Sequence, residues 1–542
     1  MSDKPHPELA SLVRRGHAYA RRGEYGRAVE AFSGAIDIDP TDAELYFHRG
    51  NAYAAARRYA EAVENFTRAL ELRPEYSEAL HNRATAHVDR GALADALADY
   101  TRAIELAPED PDPVNGRAAV YSRQKNYEAA LADYEAAHKL APNSFRVHFN
   151  RGNARSALGR HEEAVGDYTE ALRINPRHSR AYTYRAMSLE ALDRDDEAVA
   201  DLTTALRLDP TSTEAFWHRA KLHAKRDEYE KAVTDYTWLL KYNPKRADAL
   251  NQRGVAYSEL GKQDKAIADY TKSIELDPED AAPVFNRGLA LLRTRKPKEA
   301  EADFTRSLEL EPDDPAAFVQ RGFARLDQRA NEGAAEDFTR AIAVNPKSAR
   351  AYYGRALARR RLGAIRAALA DATESLDRNA RSVAALNLRA SLRFRLADFS
   401  GALADHHAAL ELAPNDSATL NHVAWLRATC PQDDVRDGNE ALQHARRACE
   451  LTEHEEPGFV DTLAAAFAEV GRFEDAVKWQ QKALELVGDE AKGEYESRLT
   501  LYRDGQPFRE APPDVPPEEP QAEEPAPPAS DAPPVELPPS AE

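Results

Sequence analysis

Along residues 43–76 apolar and small residues recur at the spacing of a helix. Tyr46, Gly50 and Tyr53 fall four and three apart, and Ala62, Phe66 and Ala69 do the same, which predicts two amphipathic helices. Arg57, Arg58 and Tyr59 break the pattern and predict the turn between them. Pro74 has no amide hydrogen to donate and predicts where the second helix stops. The same proline sets a period: from Pro40 it recurs at 74, 108, 142, 176, 210, 244, 278, 312 and 346, always 34 residues apart. Position 380 is Ala380 instead, and Pro414 resumes the series. After a polar lead-in of residues 1–8, twelve repeats of 34 residues therefore run over 9–416.

Two positions are invariant in kind. The one matching Ala62 is alanine in all twelve repeats, from Ala28 to Ala402, and the one matching Gly50 is always Gly or Ala. A methyl or less at these places lets two helices approach closely. The ring matching Phe66 recurs as Phe32, Tyr100, Tyr134, Tyr168, Tyr236, Tyr270, Phe304 and Phe338, and should plug each seam. Leu202, Ala372 and His406 replace it. With Ala380 in place of proline, 349–416 is expected to be the weakest stretch and to exchange its amide hydrogens fastest.

A 34-residue helix–turn–helix with these small residues, aromatics and terminal proline resembles the tetratricopeptide repeat (TPR) family, and in particular bacterial members of it. The resemblance implies an all-α, right-handed superhelical solenoid whose concave groove is lined by the first helix of each repeat. After Asp416 the register shifts. Two divergent repeats follow over 417–490, the first with a longer inter-helix turn at 428–438, ATCPQDDVRDG. They resemble the closing modules of bacterial repeat proteins. Residues 491–504 read as a polar capping helix.

The charge changes the picture at the far end. The chain carries a net −19, and residues 511–542 hold twelve prolines and eight carboxylates with no basic residue, leaving about −11 elsewhere. That composition predicts a disordered acidic, Pro-rich tail over 505–542. It also speaks against binding a phosphate backbone, single-stranded RNA read one base per repeat included. There is no signal peptide or long apolar run, so a cytoplasmic protein is expected. Cys430 and Cys449 are too few for a disulfide framework, and a pair facing across the last insertion is the lesser alternative.

The most regular charged position is arginine where the TPR pattern usually has leucine. It runs from Arg15 and Arg49 through Arg117, Arg151 and Arg185 to Arg389. The position matching Asn65 is aspartate in ten repeats, among them Asp133, Asp167 and Asp201. A structural ladder is expected, each guanidinium meeting a carboxylate of its own or the preceding repeat. The alternative is a ligand-reading basic stripe.

Mapped from the family, the groove face starts at Phe47, His81, Asn115, Phe149, Thr183, Trp217, Asn251, Phe285, Val319, Tyr353 and Asn387, and continues four and eight residues later. The candidate ligand residues are Phe47, Asn51, Phe149, Asn153, Trp217, Lys221, Lys225, Phe285, Arg293, Tyr353 and Arg361, an aromatic anchor and a cation on one helical side. Glu259 and Asp327 interrupt the basic row. A carboxylate clamp of the chaperone-binding TPR type is not expected, because Phe47, Asn51, Asn82, Asp112 and Gly116 supply no cation where it needs them. Catalytic motifs are absent, and no cofactor or metal is expected. His406 and His407 beside Asp405 read as surface or seam residues, and the carboxylates of the 433–438 turn as solvated. The expected function is a non-catalytic scaffold that binds a protein segment in the groove. The alternative is a regulatory or self-associating module closed by its own tail, whose carboxylates would visit Lys221, Lys225, Arg293 and Arg361.

Overall fold

The computed structural model describes residues 7–512 and residue 514. Among the described residues there are 29 α-helices, two single-turn 3-10 helices and no strand. Helices alternate in length: Ala43–Ala55 has 13 residues and Tyr59–Leu72 has 14, and Pro111–Arg123 and Tyr127–Leu140 repeat those lengths. The first helix begins at Pro7, inside the stretch read as lead-in. No helix among the described residues is long and apolar enough to cross a membrane.

The chain divides into two compact bodies, Met1–Leu260 and Gly261–Glu542. In each body the two helices of a repeat pack on one another, and the second packs on the first helix of the next repeat. The invariant alanines, Ala28, Ala62, Ala96 and Ala130 among them, have no exposed surface. Gly50 explains the small neighbour: a Cβ there would lie 2.7 Å from the ring of Phe66, so only hydrogen fits against the plug. In the eleventh repeat, where Ala372 replaces the ring, Ile365, Leu388 and Leu392 close around it.

Each inter-helix turn is tighter than the sequence pattern suggests, because Tyr59 already belongs to the second helix. Arg57 donates to the Ala54 carbonyl and Arg58 to the Tyr53 carbonyl, both at 2.9 Å, the paired bonds of a Schellman ending. Its left-handed residue recurs every 34 positions: Gly23, Arg57 (φ 60°), Gly91, Lys125, Gly159, Asp193, Asp227, Gly261, Arg295, Arg329, Gly363 and Ala397. The other end is held by side chains. Asp42 accepts from the Glu44 amide at 2.8 Å, and Ser144, Asp314 and Asp416 cap later first helices in the same way.

The thirteenth repeat runs Ser417–Thr429, a 3-10 turn at Asp433–Val435, then Gly438–Leu451, and the fourteenth is Pro457–Glu469 and Phe473–Leu486. The helix Lys492–Arg503 covers the last apolar face by burying Leu499 and Tyr502. It is therefore amphipathic, not polar throughout. Residues 506–511, assigned by composition to the tail, lie packed against the last repeats as a strap. Apart from residues 505, 512 and 514, the remainder of the expected tail falls outside the described residues. Cys430 and Cys449 are separate, buried free thiols, packed in different clusters. Burial raises both pKa values, that of Cys449 to about 12.

Candidate ligand-binding face

The repeated arginine joins three helices. Arg117 donates to both oxygens of Asp133 at 2.8 Å and to the hydroxyl of Thr101 at 3.2 Å. Arg185 does the same with Asp201 and Thr169. The carboxylate belongs to the arginine's own repeat and the threonine to the preceding one. Arg151 is bidentate on Asp167, which takes a further bond from Arg155 at 2.8 Å. Arg325, Arg359 and Arg393 add the same second cation to Asp337, Asp371 and Asp405. These guanidiniums are spent on buried carboxylates, whereas Arg49 donates to the Asn65 side-chain oxygen at 2.7 Å and to the Ser33 hydroxyl at 3.1 Å. The second arginine, four residues after the first, went unread in the sequence because it occurs in only some repeats.

The residues mapped to the groove row fall into two groups. The aromatics are half-buried in the seams. Phe47 packs on Tyr76 at the end of its own repeat, with ring centroids 4.9 Å apart. Phe149 sits among Phe145, Tyr168, His178 and Tyr184, Phe285 meets Phe304 edge-on, and Tyr353 packs against two apolar clusters. Trp217 is covered by the Arg246 guanidinium 4.2 Å from its ring. Asn51 accepts from Asn82 and Asn153 from the Tyr168 hydroxyl. These side chains connect neighbours.

The cations of the same row are also engaged. Lys221 reaches Glu190 at 3.4 Å, and Lys225 reaches Asp193 and Asp195 at 3.1 and 2.9 Å. The hydrogen bonds that Lys225 donates to these aspartates raise its pKa. Burial works against ionisation of Glu190, yet His218 and Lys221 hold its pKa below the usual carboxylate value. Both lysines are thus paired with carboxylates of the preceding repeat. Arg293 is exposed, and Arg361 donates to the Leu326 carbonyl.

Continued past Asn387, the row brings Ser391 and Arg395, then Asn421, Trp425 and Thr429, and in the last repeat Asp461 and Glu469. Here the face is occupied by the chain itself. The Trp425 indole donates to the Glu510 carboxylate. The Glu510 amide donates to the Thr429 carbonyl at 2.8 Å, and Arg509 pairs with Glu469 at 2.6 Å. The Phe508 ring lies 5.8 Å from that of Trp425. Arg498 stands over Trp425, Tyr495 and Phe508 and bonds Asp461 at 2.9 Å. A cavity of about 950 Å³ lies under the strap, lined by Asn421, Trp425, Asp461 and Arg498 among others.

A second cleft of about 550 Å³ opens beside it between Arg360, Arg361, Ser391, Phe394, Arg395, Trp425 and Glu510. Among the described residues neither Arg360 nor Arg395 makes an ion pair. His406 forms part of its wall and bonds Asn387 at 2.9 Å. Burial, followed by the charge of His422, lowers the His406 pKa to about 3, so this imidazole is neutral. Of the sequence candidates, only Arg361 reaches this cleft. Trp425 would have been found by carrying the row one repeat further.

Asp405 turns inward onto Arg389 and Arg393, away from His407. Asp437 caps the helix Gly438–Leu451, and Asp433 accepts from Arg436, so these carboxylates serve the turn.

Sequence comparison agrees with the 34-residue period. Profiles described as tetratricopeptide repeat match residues 47–111, 81–145, 149–213, 285–342 and 319–365, with further matches at 114–177 and 247–280, and one described as TPR repeat matches 16–56. No curated protein matches the chain. Among solved structures, that of the APC/C hetero-tetramer Cut9–Hcn1 is similar at 16% identity, over 85% of this chain and 96% of that one, with a TM-score of 0.39. Yeast Tom70 is similar at 19%, over 82% and 96%, with a TM-score of 0.32. YrrB, a TPR protein with an unusual peptide-binding site, is similar at 25%, over 34% and 95%, with a TM-score of 0.31.

Proposed function

The chain belongs to the tetratricopeptide repeat family, and from that premise we propose a non-catalytic scaffold that binds an extended segment of a protein partner along its first helices, chiefly in the last four repeats. One observation carries this reading: an extended piece of chain, Phe508 to Glu510, already sits on the row of Trp425, Thr429 and Glu469. It uses the means by which a groove takes a peptide, a ring in a pocket, a main-chain hydrogen bond and paired charges. Further forward, at Phe47, Phe149, Trp217, Phe285 and Tyr353, the row is spent on packing and offers less to a ligand.

Because the occupant is the chain's own strap, the second reading, regulation by the C-terminal segment, is favoured as part of the first. A partner competes with the strap. The test uses the full chain carrying Phe508→Ala and Glu510→Ala together, and a labelled peptide of sequence QPFREA supplied in trans. The double variant should bind the peptide at least about tenfold more tightly than the parent, and adding Trp425→Ala should abolish binding. Equal affinity in parent and double variant would count against the strap as a competitor. Absence of binding in both would remove the groove assignment.

A further inference from the structure

His407 lies on the second helix of the twelfth repeat, Phe399–Leu412, and Glu440 and His444 lie one turn apart on the second helix of the thirteenth, Gly438–Leu451. Residues four apart share a helical side, and the stacking of the two repeats brings that side against His407. His407 Nε2 is 2.7 Å from Glu440 Oε1, and His444 Nε2 is 3.6 Å from the same oxygen. All three donor atoms fall within 4.8 Å of one another. The other carboxylate oxygen, Oε2, pairs with the Arg427 charge at 2.7 Å, and Oε1 is the one nearest both imidazoles.

We propose that His407, Glu440 and His444 bind a divalent first-row transition ion of the zinc class, which clips the twelfth repeat to the thirteenth. Two imidazole nitrogens with one carboxylate oxygen suit zinc, cobalt or nickel and do not suit calcium or magnesium, which take oxygen ligands. Donors about 2.1 Å from one ion lie at most about 4.2 Å apart, so a small rotation of one imidazole closes the triangle. The three side chains are 39%, 22% and 21% exposed, which gives an ion a path in and leaves a position for water. His407 Nε2 is within hydrogen-bond distance of Glu440 Oε1, and His444 Nε2, four residues along the helix from Glu440, stands 3.6 Å from the same oxygen. Arg427 places its positive charge beside the other oxygen of the same carboxylate.

The experiment is a cobalt(II) titration of the tag-free full chain after chelator treatment, read by visible absorption, with zinc competition and thermal unfolding alongside. One cobalt per chain should give d–d bands, zinc should bleach them, and zinc should raise the unfolding midpoint. His407→Asn and Glu440→Gln should each weaken zinc at least about tenfold and remove the thermal shift, while His87→Asn, remote from the cluster, should change neither. Should His444→Asn fail to fold, the half-exposed His407→Asn carries the test. The proposal is overturned if the parent chain gives no bands and no zinc-dependent shift, or if the bands persist in His407→Asn and Glu440→Gln.

Discussion

Asp133 shows what a buried carboxylate requires. It is 9% exposed, and Arg117 supplies both of its charge-assisted hydrogen bonds. Removing the arginine strands the acid, so Arg117→Met should destabilise the fourth repeat by about 3 kcal/mol, whereas Arg117→Met with Asp133→Leu should recover most of that. Asp371 has two arginine partners, Arg355 and Arg359, and Arg355→Met should cost less than Arg117→Met. Site-resolved hydrogen exchange of each repeat checks the order.

His81 gives the pH dependence at the same scale. Burial lowers its pKa from 6.5, with Asp112 and Asp110 opposing. Below about pH 6.5 the unfolded chain takes up a proton that the folded chain refuses, so stability falls as pH falls, by no more than about 1.4 kcal/mol per pH unit. His81→Phe, the residue found at this position in Phe47 and Phe149, should flatten that dependence. Exchange protection of the third repeat at pH 7 and pH 5 measures it.

At the scale of the element, the turn between the helices of a repeat demands a left-handed residue every 34 positions. Glycine meets that demand at Gly23, Gly91, Gly159, Gly261 and Gly363, while Arg57, Lys125, Asp193, Asp227, Arg295, Arg329 and Ala397 adopt it at a cost. Ala397 has no polar side chain to offset the strain, so Ala397→Gly should stabilise the twelfth repeat by about 1 kcal/mol. It should also slow amide exchange in 349–416, the stretch whose missing ring and proline predict the fastest exchange. The period of this turn was open to view in the sequence, but its backbone sign was not. Five residue types share the position, and only the hydrogen bonds closing the turn show why.

At the scale of the molecule, contacts run between sequence neighbours, and each body is a row of them. Damage should stay where it is made. Gly50→Ala pushes a methyl 2.7 Å from the Phe66 ring and should cost about 1–3 kcal/mol, with lost protection confined to the first three repeats. Binding of the QPFREA peptide by the strap-weakened chain should be unchanged. A fall in peptide affinity in that variant would show coupling along the whole array.

The sequence by itself determined the helix pair, its period and its small and aromatic packing positions. These are local demands, met within 34 residues and repeated until chance is no explanation, as Ala62, Phe66 and Pro74 illustrate. The constant arginine was legible for the same reason, though not which repeat held each of its partners. Only tertiary structure decided which polar residues remain available. Lys221 is neutralised by Glu190, 31 residues back, Trp425 is covered by Glu510, 85 residues on, and His407 meets Glu440, 33 residues on. A charge or ring in a sequence carries no mark of being spent, because its partner is set by how one repeat stacks on the next and by where the chain turns back.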